Sequence, residues 1–152
     1  MPRYFVFVIF FCGAVCFALP CHGKERDLRC KDGGGVKCGS ICYDDGDCFE
    51  IRILAGSRTI YSIQKVVFNN ISVLYYAYNK RVDKPDSVSV IRVAFTVNGG
   101  GKVISAKMVE STMNNKEFEA FVMEKVKGWD FYNADDPGGI TEFIFPLIFR
   151  RQ

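Results

Sequence analysis

Four cysteines are close enough together in this sequence to bind a metal ion or to form disulfides. Cys30, Cys38, Cys42 and Cys48 lie in a polar, Gly-rich stretch, and a structural zinc site uses four such ligands. The same thiols can also pair as disulfides in an oxidising compartment. Because the spacing lacks the paired C-x2-C pattern of zinc ribbons, we predict disulfides and no metal. The sequence leaves the pairing open.

The rest of the chain offers little for catalysis. Its only histidine is His22, so the remainder has no Ser–His or Cys–His pair for nucleophilic attack. The carboxylates of Glu117 and Glu119 are placed like the start of a helix. The glycines at 99–101 lack the Gly-Lys-Ser/Thr of a phosphate loop and read as a hairpin turn. We therefore predict that the protein is not an enzyme and uses no cofactor.

The first residues have the composition of an export signal. Residues 1–3 carry a positive charge, and residues 4–19 are uncharged and rich in Phe, Val, Ile and Ala, which is the pattern of a secretory signal peptide. Cleavage after Ala18 or after Gly23 fits the preference for small residues at the cleavage site. Cleavage after Gly23 leaves an even number of cysteines, so we predict a signal peptide at 1–23 and an exported, periplasmic protein. If the segment is retained, it anchors the chain in the inner membrane.

Composition limits the class of protein and of partner. The content of 49% apolar and 24% charged residues is that of a globular protein. The net charge is +3 with no block of like charges, which gives no reason to expect a nucleic-acid partner. After the signal, we predict a disulfide-bearing loop segment at 24–48, where apolar periodicity is absent, and a folded domain at 49–152.

Hydrophobic periodicity predicts the first elements of the folded domain. Residues 49–54 alternate briefly and suggest a short strand. Apolar residues at steps of three and four then predict a helix from near Thr59 to near Arg81. Two alternating segments, 88–97 and 102–110, predict a hairpin around the intervening glycines.

A second helix and a last strand complete the prediction. Asn114 is placed as the N-cap, and Glu117 three residues later has the spacing of a capping box. The helix ends at Trp129, which we expect to be a core residue. The final strand, 141–149, carries Pro146 in its middle. A proline cannot donate to a sheet ladder, so we expect this strand at a sheet edge. The predicted fold class is α+β, with two helices on a three-stranded sheet of order 2-1-3.

The order of these segments resembles a known family. The run VAFTVNGGGKVISAKMVESTMNNKEFEAFVMEKVKGWDF, followed by PGG and EFIFPLIF, is similar to the TonB C-terminal domain. It resembles in particular the gliding-motility branch of the AgmX/PglI type, in residues 110–112, in Trp129 closing the helix and in residues 145–149. The likeness covers about residues 54–149. The chain lacks the long Pro-rich spacer of full TonB proteins.

The resemblance implies a protein-binding module of the cell envelope whose final strand accepts a strand from a partner. An exposed strand edge is a template for such β-augmentation. The binding strand would consist of Thr141, Glu142, Phe143, Ile144, Phe145, Pro146, Leu147, Ile148 and Phe149. The implied partner is an envelope protein of an outer-membrane, motility or transport complex. Two alternatives stay open: a self-associating structural component that forms a homodimer, and a short membrane-tethered energy transducer.

Overall fold

In the part of the chain that the structure describes, five strands form one sheet, and two helices pack on one of its faces. The computed structural model describes residues 36–42, 46–82, 88–132 and 138–150; the predicted signal peptide and Cys30 lie outside them. In chain order the elements are β1 (Lys37–Cys42), β2 (Cys48–Ala55), α1 (Ile60–Arg81), β3 (Ser89–Val97), β4 (Val103–Ser111), α2 (Lys116–Lys127) and β5 (Thr141–Phe149).

The sheet has the strand order β1-β2-β5-β3-β4, and each neighbouring pair is antiparallel. The α+β class with two helices is confirmed. The order of the last three strands is as predicted, because β3 lies between β4 and β5. The predicted count of three strands is wrong, because β1 and β2 add a hairpin beside β5.

The additional hairpin begins in the segment that was predicted to be a loop. β1 pairs with β2 along its whole length, and Ile41, Ile51 and Ile53 are buried toward the helices. A Cβ on Gly39 would lie 2.6 Å from the Ile60 side chain, so the glycine lets α1 start close to β1. This strand exists because a neighbour completes its backbone hydrogen bonds, which is a cause that the local sequence does not reveal.

Both predicted helices are present, but the second has a different cap. At α1 the hydroxyl of Thr59 accepts a hydrogen bond from the Ser62 N–H at 3.1 Å. At α2 the side chain of Asn115 accepts from the Phe118 N–H at 3.0 Å. The predicted cap at Asn114 is therefore wrong. Asn114 instead has a φ of 53°, a left-handed conformation that Asn tolerates, and it turns the chain into the helix.

Aromatic rings fill the core between the helices and the sheet. The ring centroids of Phe95 and Phe143 lie 5.0 Å apart, and those of Phe95 and Trp129 lie 6.1 Å apart. Trp129 is only 6% exposed, so its prediction as a core residue is confirmed. Truncating a buried ring of this size typically costs roughly 3–5 kcal/mol.

A buried arginine joins three loops at one end of the sheet. Arg58 is 3% exposed, and its guanidinium donates to the carbonyls of Phe131 and Asn98. These bonds tie the β2–α1 loop to the β3–β4 turn and to the segment after α2. Nearby, hydrogen bonds from the Lys102 ammonium and from a backbone N–H hold the pKa of Asp130 below its ordinary value.

Candidate partner-binding surface

The strand predicted to bind a partner, β5, lies in the interior of the sheet. It pairs with β3 along its whole length. On its other side, β2 pairs with residues 142–144. The prediction that β5 is an edge strand is therefore wrong. The position that an added strand would take beside β5 is occupied by the chain's own N-terminal hairpin.

Pro146 fits this interior position because of the side to which its nitrogen points. On β3, Val90 uses its N–H and C=O to bond Thr112, on the β4 side. In an antiparallel sheet, the N–H and C=O groups of successive residues point to opposite sides of the strand. Ile148 lies opposite Val90, so its backbone groups point toward β2. The nitrogen of Pro146, two residues earlier, points to the same side. The β2–β5 register ends at Ile144. The missing N–H of the proline therefore costs no hydrogen bond to β3.

The side chains of β5 are mostly inaccessible. Glu142 is exposed and Ile144 is partly exposed, whereas the other residues of the strand are buried. The buried residues of the predicted binding strand are Thr141, Phe143, Phe145, Pro146, Leu147, Ile148 and Phe149. A partner strand could reach β5 on the β2 side only if the hairpin moved away. A binding role for β5 stays a prediction.

The outer strand β4 has exposed apolar side chains, whereas those of β5 are mostly buried. Ile104 is 56% exposed, Met108 39% and Val109 57%. The register against β3 shifts twice, and each shift leaves one extra residue on β4, at Ile104 and at Val109. These are β-bulges, which occur often at sheet edges and re-aim side chains.

The sequence contains a signal for these bulges that differs from regular alternation. Apolar residues are doubled at 103–104 and at 108–109, in a strand that otherwise alternates. One residue of each doubled pair has to leave the regular pattern, and an inserted bulge residue lets alternation resume. Doubled apolar positions in a strand are therefore candidates for an exposed apolar edge.

Between the two bulges, β4 presents backbone groups to the outside. Lys107 lies opposite Ala94, and Ala94, like Val90, directs its N–H and C=O toward β4. Lys107 is thus bonded to β3. Because the backbone N–H and C=O groups of successive residues point to opposite sides of a strand, those of Ala106 point away from the sheet. Beyond β4 the described residues contain no further strand.

The other outer strand, β1, has features that resist strand addition. It is six residues long, and its last residue, Cys42, is disulfide-bonded to Cys48. Cys38 is also in a disulfide, with a partner outside the described residues. Its sulfur lies 3.3 Å from a carboxylate oxygen of Glu50, which is a contact and not a hydrogen bond because a disulfide sulfur carries no proton. Short outer strands that carry an exposed lysine, as β1 does at Lys37, are protected edges.

The sheet face opposite the helices carries a shallow groove of about 300 Å³. It is lined by Glu50, Arg52, Arg92, Val109, Glu110 and Ile144. The four charged residues form two ion pairs, Arg52–Glu50 and Arg92–Glu110, each with an N–O distance of 3.0 Å. Partly exposed pairs contribute at most about 1 kcal/mol each, so a partner's charges can compete with them.

The described residues contain neither a metal-binding cluster nor a membrane-spanning helix. Among the described residues, no group of three or more His, Cys, Asp or Glu is placed to hold a metal ion. None of the helices in those ranges combines the length and the hydropathy of a membrane span. Cys42 and Cys48, two of the four possible zinc ligands, are bonded to each other.

Comparison with known proteins found no match among family models, curated proteins or solved structures. The likeness to the TonB C-terminal domain stays a prediction from the sequence. Function therefore has to be inferred from the surfaces of this chain.

Proposed function

We propose that this chain is an exported protein-binding module of the cell envelope, and that a partner strand adds to the outer side of β4. The observation that carries the proposal is the outward-pointing backbone of Ala106, flanked by Ile104 and Val109, which are 56% and 57% exposed. Main-chain groups of an outer strand give an added strand its hydrogen bonds, and flanking side chains give it specificity. The predicted export signal supports the envelope location.

The bulges make this edge selective. They leave a regular ladder only over residues 105–108, whereas a long flat edge would pair with almost any strand. A partner therefore needs a short extended segment with apolar side chains that reach Ile104 and Val109. Val109 also lines the groove on the open face, next to Arg92 and Glu110, so a charged side chain of the same partner can enter that groove.

One observation favours a second candidate function, self-association through the same edge. If two copies of β4 pair antiparallel about a two-fold axis at Ala106, Ile104 of one copy lies opposite Met108 of the other. Lys107 then lies opposite Ser105, so no like charges meet. Such an isologous interface would cover the exposed apolar residues of both copies.

Proline substitutions on the two outer strands test the proposal. Ala106→Pro removes the outward N–H at position 106 of β4, and proline is tolerated on edge strands where the N–H faces solvent. Ser40→Pro is the matched control, because Ser40 on β1 has an outward N–H by the same alternation. We would measure the envelope proteins recovered with the exported, tagged chain, and the sedimentation velocity of the purified protein.

The proposal expects Ala106→Pro to abolish recovery of at least one envelope partner, and Ser40→Pro to leave it unchanged. Loss of a dimer in sedimentation, with no partner affected, would instead identify self-association. If Ala106→Pro unfolds cooperatively like the unsubstituted protein and changes neither measurement, the β4 edge is not the binding surface.

A further inference from the structure

The outward face of α1 displays a row of aromatic rings. Tyr61 is 68% exposed, Phe68 44% and Tyr76 63%. Steps of seven and eight residues are close to two helical turns, so the three side chains project from the same side of the helix. This side lies opposite the helix residues that enter the core, among them Ile63, Val67 and Leu74.

The charges on the same helix are all positive. α1 contains Lys65, Lys80 and Arg81, and it contains no Asp or Glu. The ammonium of Lys80 lies 4.5 Å from the centroid of the Tyr76 ring, so cation and ring are presented together. An anionic surface that contacts this face is attracted by the positive charges and makes apolar contact with the rings. No acidic residue of α1 repels it.

The arrangement of the rings suits an extended surface better than a compact protein epitope. Successive rings lie about 10–12 Å apart along the axis, with exposed polar residues such as Lys65 and Ser72 between them. Protein hot spots cluster in desolvated pockets. Aromatic rings at the headgroup level, together with lysines on a helix lying in the interface plane, are how peripheral helices hold an anionic bilayer.

We propose that the outward face of α1 binds the surface of a bilayer that contains anionic lipids. Tyr61, Phe68 and Tyr76 enter the headgroup region, and Lys65 and Lys80 pair with lipid phosphates. The helix lies on the membrane in the plane of the interface. The groove on the opposite sheet face stays accessible in this orientation. This proposal does not depend on strand addition at β4.

Vesicle binding with a site-specific fluorescent reporter tests the proposal. The probes are phosphatidylcholine vesicles with and without phosphatidylglycerol, some of them carrying brominated chains that quench tryptophan. Tyr61→Trp places a reporter on the proposed face, and Ile104→Trp places one on β4 as the matched control. Trp129 is buried and contributes a common background. The chain is used as exported, so all variants share the same N-terminus.

Tyr61→Trp should be quenched on anionic vesicles, and less so as the salt concentration rises; Ile104→Trp should not be. Replacing Lys65 and Lys80 by Gln should weaken binding about fivefold per lysine, and the combined change of Tyr61, Phe68 and Tyr76 to Ser should weaken it more. Equal quenching of the two reporters, quenching independent of phosphatidylglycerol, or no quenching at all would overturn the proposal.

Discussion

The hydroxyl of Tyr75 on α1 donates a 2.7 Å hydrogen bond to the backbone carbonyl of Ile148 on β5. That carbonyl faces the β2 side of the strand, beyond Ile144, where the β2–β5 register ends. A helix side chain thus bonds the strand at a point where the ladder has stopped. The Tyr75 ring also packs edge-on against Phe149, with centroids 5.8 Å apart.

The first prediction concerns this hydrogen bond. Tyr75→Phe keeps the ring and its packing, but it leaves the carbonyl of Ile148 without the hydroxyl. We expect the free energy of unfolding to fall by about 1 kcal/mol, measured by urea denaturation. The slope of the unfolding transition should not change, because the same surface is buried.

Tyr78→Phe is the matched control for that prediction. Tyr78 is fully buried, and its hydroxyl has no hydrogen-bond partner among the described residues. Removing a buried, unpaired hydroxyl should leave stability unchanged or raise it. If both substitutions cost the same, the bond to Ile148 is not what stabilises this part of β5.

The second prediction concerns Arg58. Arg58→Met removes the donors to the carbonyls of Phe131 and Asn98. The Phe131 carbonyl is left in a buried place, whereas the Asn98 carbonyl is partly buried and keeps its hydrogen bond from the Gly101 N–H. We expect a loss of about 2–4 kcal/mol in the free energy of unfolding. Arg92→Met on the open sheet face should cost less than about 1 kcal/mol, because its ion pair with Glu110 is partly exposed. Similar losses for the two variants would contradict a specific role for Arg58.

The elements after residue 59 were predictable because their signals are local. The spacing of apolar residues along α1 and the alternation along β3 each follow from which side faces the core. The bounds of both helices lie close to the predicted ones. The second cap was misplaced because two adjacent Asn residues can both cap a helix, and the choice of Asn115 depends on the left-handed turn at Asn114.

The position of β5 was not predictable from its own sequence. The rule that places proline at an edge assumes that a neighbouring strand needs the missing N–H, whereas Pro146 points to a place where the β2–β5 register has already ended. β1 was missed for a related reason, since a Gly- and Cys-containing segment becomes a strand only through its partner. The outer strand with exposed apolar side chains is therefore β4 and not β5.

The third prediction concerns the pH dependence of stability. Glu119 is 3% exposed. Its burial alone would raise the pKa, but hydrogen bonds from Ser111 and Lys116 and the charge of Lys116 outweigh this and hold the pKa below its ordinary value. A carboxyl with a lowered folded-state pKa contributes stability above its unfolded-state pKa, and this contribution is lost as the pH falls through the folded-state pKa.

The test compares urea unfolding at about pH 7 and about pH 3. In Glu119→Gln the loss of stability between the two pH values should be smaller than in the unsubstituted protein. Glu117→Gln is the matched control, because it removes an exposed carboxylate from the same helix. A Glu119→Gln variant with an unchanged pH profile would rule out a contribution from this carboxylate.

The fourth prediction concerns the Cys42–Cys48 disulfide, which closes the β1–β2 hairpin across a sequence separation of 6 residues. Replacing both cysteines by Ser should lower the free energy of unfolding by about 2 kcal/mol, because a short loop is released in the unfolded chain.

The loss should be localised, because the hairpin joins the rest of the sheet through only a short register with β5. Hydrogen exchange should therefore speed up at the amides of Ile51 and Ile53. At Val93 and Phe95 on β3, it should speed up only as much as the fall in the global free energy of unfolding requires. Equal acceleration on β2 and β3 would show instead that the hairpin unfolds only with the whole sheet. In that case no partner strand could displace the hairpin from β5, and the β4 edge would remain the place for strand addition.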